Sequence, residues 1–217
     1  MSNASSGGKG RMVRPSKTAL FKAAKSWDVT SLTALLASAP DLIDATDPRG
    51  RKALHLACAV KPGTPGTKEP NGIRTVSALL RRPADLHDHV RLEEGTFKAT
   101  PIWWAVAHGD NLPLVKMLLK RGARADNCLF AVVWNDNAAI LREILKTGPP
   151  LNEFGEGEPA VISAIRWRKL KTLGMLLDAG ADLSFRDAKG RDAVAFAKHK
   201  KLPSSILARL QKLQSTT

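Results

Sequence analysis

TPIWWAVAHGDNLPLVKMLLKRGARAD, residues 100–126, is the stretch that decides the fold. Thr100-Pro101 opens an apolar helix, and Gly109-Asp110 makes a turn. A second apolar helix carries Leu118-Leu119, and Gly122-Ala123 closes the unit. One such helix pair cannot bury its own apolar face, so a stable chain must repeat it. It does. Paired aliphatics recur at Leu35-Leu36, Leu79-Leu80, Leu118-Leu119, Ile144-Leu145, Leu176-Leu177 and Ile206-Leu207. The loop after them recurs as Gly122-Ala123, as Gly148, and as Gly180-Ala181-Asp182.

Segment 159–184, PAVISAIRWRKLKTLGMLLDAGADLS, repeats the whole pattern, and 52–60, KALHLACAV, repeats its first helix. Gly50 and Gly190 each precede a first helix and follow Asp47 and Asp187. In these motifs the chain resembles ankyrin repeat proteins, built from helix–turn–helix units of about 33 residues. The resemblance spans roughly 18–213, full in two repeats and degenerate in the others. It implies an all-α solenoid of stacked helix–turn–helix units with short β-hairpin fingers. It also gives His55 the place of the family's structural histidine.

The expected organisation is a disordered basic tail at 1–17, where Ser2-Asn3-Ala4 resembles a tag remnant, and a single repeat domain at 18–217 of five to six units including caps. The first helix pair is expected near 19–27 and 29–38, with Asp28 at the turn. After Val60, the stretch KPGTPGTKEPNGIR is too rich in proline and glycine to stay helical, so 61–74 reads as an extended insertion. Only 26 residues separate Gly122 from Gly148, leaving little room for a finger there. Pro149-Pro150 stops the next helix, and Pro203 opens the last one.

The formal charge of +14 invites a nucleic-acid reading, so its distribution matters. Residues 1–25 carry 6 Lys and Arg and no acidic residue, 26–160 carry 16 of each sign, and 161–217 carry 12 against 4. The body is neutral and the excess sits at the ends. A duplex-binding face would run along the stack instead. With no run of about 18 apolar residues and no apolar core near the start, a cytoplasmic location is expected. Cys58 and Cys128 lack metal-type spacing and read as buried, reduced thiols.

The resemblance implies binding on a concave side formed by the fingers and the ends of the first helices. Aligning those helices puts two outward positions before each turn: Lys25-Ser26, Ala59-Val60, Ala107-His108, Trp134-Asn135, Arg166-Trp167 and His199-Lys200. The expected partner-binding residues are therefore Trp134, Asn135, Arg166, Trp167, His108, His199 and Lys200. Tryptophan and arginine are the residues of interface hot spots. Packing between neighbouring first helices is the competing reading for Trp134 and Trp167, and the preferred one for Trp103 and Trp104. Arg166, Arg168, Lys169 and Lys171, with Lys198, Lys200 and Lys201, form either a solvated edge or a basic corner that attracts acidic peptide, phosphate or nucleic acid. Arg168 stands where the family commonly has a turn glycine.

Chemistry is thin. Asp85, His87, Asp88 and His89 are ligand-type residues at close spacing, but no second cluster closes a coordination shell. There is no phosphate loop and no nucleophile–base–oxyanion set. No cofactor, metal or catalytic residue is expected. The sequence predicts a non-catalytic scaffold for an unidentified, acidic protein partner. The alternative is electrostatic binding of nucleic acid or an anionic surface through the basic C-terminal end.

Overall fold

The computed structural model describes residues 14–215, apart from 69, 82, 93–96, 153 and 156. Among the described residues, twelve α-helices follow one another in six pairs. The first helices are α1 (Lys17–Lys25), α3 (Ala53–Cys58), α5 (Pro101–Ala107), α7 (Cys128–Trp134), α9 (Ala160–Arg166) and α11 (Ala193–His199). The second helices are α2 (Val29–Ser38), α4 (Gly72–Leu79), α6 (Leu112–Lys120), α8 (Ala138–Leu145), α10 (Leu170–Asp178) and α12 (Ser204–Gln214). Each first helix packs on the next first helix, and α2, α4, α6, α8 and α10 pack in the same succession. Two layers of helices result, with the core between them.

Helices this short are marginal alone, because about 12–15 residues are needed even in good sequences. Burial holds them. Leu114, Leu118, Ile140, Leu141, Ile144 and Leu176 are wholly enclosed. Three of the six aliphatic pairs divide labour by geometry, since adjacent helical residues point about 100° apart. Leu79, Leu118 and Ile144 are buried, whereas Leu80, Leu119 and Leu145 lie half-buried at the layer edge.

The fingers are short. Strand β1 (Val90–Leu92) pairs antiparallel with β2 (Phe97–Ala99), and β3 (Phe154–Gly155) with β4 (Glu158–Pro159). Elsewhere the finger is a turn locked by one carboxylate. In DPRGR, Asp47 accepts from the amides of Arg49 and Arg51 and from the Arg51 guanidinium, all within 2.9 Å. DAKGR repeats this with Asp187, Lys189 and Arg191 at 2.8–2.9 Å. Between Lys120 and Cys128 no strand forms.

The N-terminal helix lies earlier than the 19–27 expected from the sequence. Ser16 accepts the Ala19 amide at 3.2 Å and so starts α1 at Lys17. Trp27, with φ of +51°, ends it. The tail proper, residues 1–13, lies outside the described residues. The same left-handed conformation recurs between the helices of other pairs, at Asp110, Asp136, Arg168 and Lys201. Glycine is the cheap residue there. This chain instead places side chains at those turns, and several of them work.

Candidate functional site

The first helices share a register. Their N-caps are Lys52, Thr100, Asn127, Pro159 and Asp192 from the second pair onward. The seventh and eighth positions after these caps fall at the turn into the second helix. Trp134, Arg166 and His199 occupy the seventh in successive pairs, and His108, Asn135, Trp167 and Lys200 the eighth.

Trp134 and Trp167 meet. Their rings stand edge to face with centroids 4.8 Å apart, and Phe130 meets Trp167 in the same manner at 5.0 Å. Trp167 is half-buried, whereas Trp134 is 57% exposed although it sits on an aromatic support. Phe130 was missed by the sequence reading. Its signal was position: it follows its N-cap by three residues, as His55 and Trp103 follow theirs.

Two expected contact residues are engaged within the stack. The Asn135 amide donates to the carbonyls of Val106 (2.9 Å) and Ala107 (3.2 Å) in the preceding pair. Arg166 forms a forked ion pair with Glu158, with nitrogen–oxygen distances of 2.5–3.1 Å, and lies over the Phe196 ring at 5.2 Å. Glu158 is buried and also accepts the Ser163 hydroxyl at 2.8 Å. Hydrogen bonding to this carboxylate raises the Arg166 pKa. From a finger strand, Glu158 anchors the end of α9.

His108 stacks on Trp104 at 4.8 Å and meets Trp103 edge-on at 5.6 Å. The Arg51 guanidinium lies 5.4 Å from the Trp104 ring centre. Burial, then the Arg51 charge, lowers the His108 pKa. Trp104 is buried and Trp103 half-buried, as core packing requires. The structure does not join His108 to the Trp134–Trp167 pair by any direct ring contact.

At the C-terminal end, the Arg168 guanidinium donates to the carbonyls of Lys200 and Lys201, the second at 2.8 Å. It caps α11 and fixes the turn carrying His199 and Lys200 beside the turn carrying Trp167. His199 is exposed and Lys200 half-exposed. Lys169, Lys171, Lys198, Lys200 and Lys201 form no ion pair among the described residues. The basic corner therefore consists of lysines, with its two arginines engaged.

His55 is buried. Its Nδ1 accepts the Lys52 amide at 3.1 Å, so Nε2 carries the proton and donates to the Asp88 carbonyl at 3.1 Å. The Asp88 carboxylate pairs with Lys52 at 2.8 Å, and Asp85 accepts the Arg81 amide at 3.1 Å. Those ligand-type residues are tied to neighbouring backbone and charge. Cys58 and Cys128 are buried and not joined in a disulfide, and burial drives the Cys58 thiol pKa upward. Among the described residues no helix is long and apolar enough to cross a membrane.

The sequence model of the ankyrin repeat family matches residues 98–129. No curated protein matches the chain in sequence. Among solved structures, the ankyrin repeat protein EF0377 is 21% identical with a TM-score of 0.67, over 92% of this chain and 98% of that one. An ankyrin repeat domain from Acinetobacter baumannii is 22% identical at 0.66, over 91% and 96%. A chain in the complex of a predatory endopeptidase from Bdellovibrio bacteriovorus with its immunity protein is 21% identical at 0.64, over 89% and 97%. These likenesses concern the fold, and the repeat motif agrees with them: the chain has the ankyrin-repeat fold and carries that family's repeat at 98–129.

Proposed function

We propose that this protein is a non-catalytic scaffold that binds a protein partner on the face formed by the ends of its first helices. Ankyrin repeats generally mediate protein–protein interaction, and the fold is typically non-catalytic. The observation that carries the finer reading is Trp134. A tryptophan 57% exposed and braced by Trp167 offers a large, rigid contact area with little rotamer freedom to lose. Arg166 contributes a guanidinium whose position Glu158 fixes, and His199 and Lys200 add a hydrogen-bonding, cationic rim. His108 extends the row towards the N-terminus, and Asn135 holds two pairs in register. The partner's complementary surface is acidic, because the lysines around this row lack anionic partners among the described residues.

The test is retention of a discrete protein from lysate on immobilised wild type, with nuclease present and at both low and high salt. Trp134→Ala is expected to abolish retention while leaving helicity unchanged. Retention unaffected by Trp134→Ala rejects the site, and retention only at low salt that nuclease removes rejects the scaffold reading.

A further inference from the structure

The insertion after α3 is a built wall. Its sequence repeats, Lys61-Pro62-Gly63-Thr64 followed by Thr64-Pro65-Gly66-Thr67. Each copy closes a proline–glycine turn. The Thr64 amide and hydroxyl both donate to the Lys61 carbonyl, at 3.2 and 2.6 Å, and those of Thr67 donate to Thr64 at 3.2 and 2.7 Å. Gly63 and Gly66 both have φ of +81°, as this turn type demands at its third position. Both ends are fastened to turns between helices. The Lys68 amide donates to the Ser26 carbonyl at 2.8 Å and its ammonium pairs with Asp28 at 2.6 Å, while Lys61 reaches Asp110 at 3.5 Å.

This wall faces α1 across an open groove of about 560 Å³, lined by Thr18, Phe21, Lys22, Lys25, Ser26, Thr64, Pro65 and Gly66. The volume falls within the about 300–1,000 Å³ typical of ligand pockets. The α1 residues are spaced three and four apart and form one helix face. Phe21, half-buried against the core, and Pro65 give an apolar floor. Lys22 and Lys25 rise beside it, exposed and with no anionic partner among the described residues. Asp28, the N-cap of α2, is occupied by Lys68 and Ser31.

We propose that this groove binds an acidic peptide segment of a partner protein, with its carboxylates on Lys22 and Lys25 and a large apolar side chain on Phe21 and Pro65. Charge complementarity selects the anion. The apolar floor, whose one ring, Phe21, is half-buried against the core, selects peptide over nucleic acid, which needs open ring faces on which bases stack. The groove is separate from the Trp134–Trp167 pair and stands or falls without it.

The experiment is an amide-shift titration of the isotope-labelled full chain with the peptide acetyl-DEFDE-amide. Saturable shifts at 18–26 and 61–68 are expected, and Lys22→Glu/Lys25→Glu should weaken binding at least tenfold. Both lysines are exposed, so unchanged signals elsewhere verify the variant's fold. Trp134→Ala should bind the peptide as wild type does. An absence of shifts, shifts confined to the lysines at 169–171 and 198–201, or full affinity in the double variant would each overturn the proposal. Loss of peptide binding in Trp134→Ala overturns it too, as does a thymidine oligonucleotide producing the same shifts.

Discussion

His55 shows how one residue couples a helix start to the segment before the next finger. Its two ring nitrogens are both used, one accepting from Lys52 and one donating to Asp88. Protonation would place a second N–H against the Lys52 amide, inside the core. Burial accordingly holds the His55 pKa below its ordinary 6.5. The unfolded chain then takes up a proton near pH 6.5 while the folded chain does so only at lower pH. The stability it contributes is full above about pH 6.5 and is lost as pH falls from there towards the folded value. His108, also lowered, acts in the same direction. The perturbed aspartates are shifted below 3.8 and titrate in a separate, more acidic window. The urea midpoint should therefore decline between about pH 7 and about pH 5.5. His55→Gln should cost about 1–3 kcal/mol at neutral pH, the usual cost of a buried hydrogen-bonding group left unpaired. It should also lose most of that decline, and an unaltered slope would exclude His55 as its source.

At the scale of elements, helix capping reaches across repeats. Lys169, the N-cap of α10, offers no side-chain acceptor. The cap comes instead from Asp136, the left-handed turn residue of the preceding pair. Its carboxylate accepts the Thr172 amide at 3.1 Å and the Thr172 hydroxyl at 3.0 Å. Asp136→Ala should cost about 0.5–2 kcal/mol, and Asp136→Asn, which keeps the acceptor, should restore most of it. Equal thermal stabilities for the two variants would mean that the turn conformation, not the cap, is what matters. Local pattern alone does not reveal such a contact, because 36 residues separate its partners and only the stacking register brings them together. The same holds for Trp27, whose indole N–H donates to the Ala57 carbonyl at 3.0 Å, and for its neighbour Gly72, where a Cβ would meet that ring at 3.0 Å. What the sequence did show was whatever repeats: the aliphatic pairs, the glycines after them and the Asp-x-x-Gly turns, each imposed by a unit that cannot bury itself alone. Alignment of the first helices brought Trp134 and Trp167 onto one row. It could not show that Arg166 is engaged by Glu158, since that depends on how a two-residue strand folds back onto its helix.

Over the whole molecule, cohesion passes from neighbour to neighbour, because helices two pairs apart share little surface. Such a stack behaves approximately as a chain of units with interface terms, and its cooperativity depends on those interfaces exceeding the differences between units. Leu118 sits in α6, which packs on α4 before it and α8 after it, and its side chain is wholly buried. Leu118→Ala should cost about 2–5 kcal/mol, for the lost transfer and the cavity left behind. Its consequence for cooperativity follows from its central place. If the interfaces of α6 remain strong enough, the denaturant midpoint falls while the slope stays that of the wild type, and all six pairs unfold together. If the cavity weakens them below that threshold, the slope falls and two transitions separate, with α1–α4 and α7–α12 unfolding as blocks. The C-terminal block is held partly by Arg168 on the carbonyls at the end of α11 and by Arg209 on Asp178 at 2.5 Å. We expect one transition with an unchanged slope, because small buried side chains such as Ala105, Ala131 and Ala164 let successive first helices pack closely on both sides of the lesion.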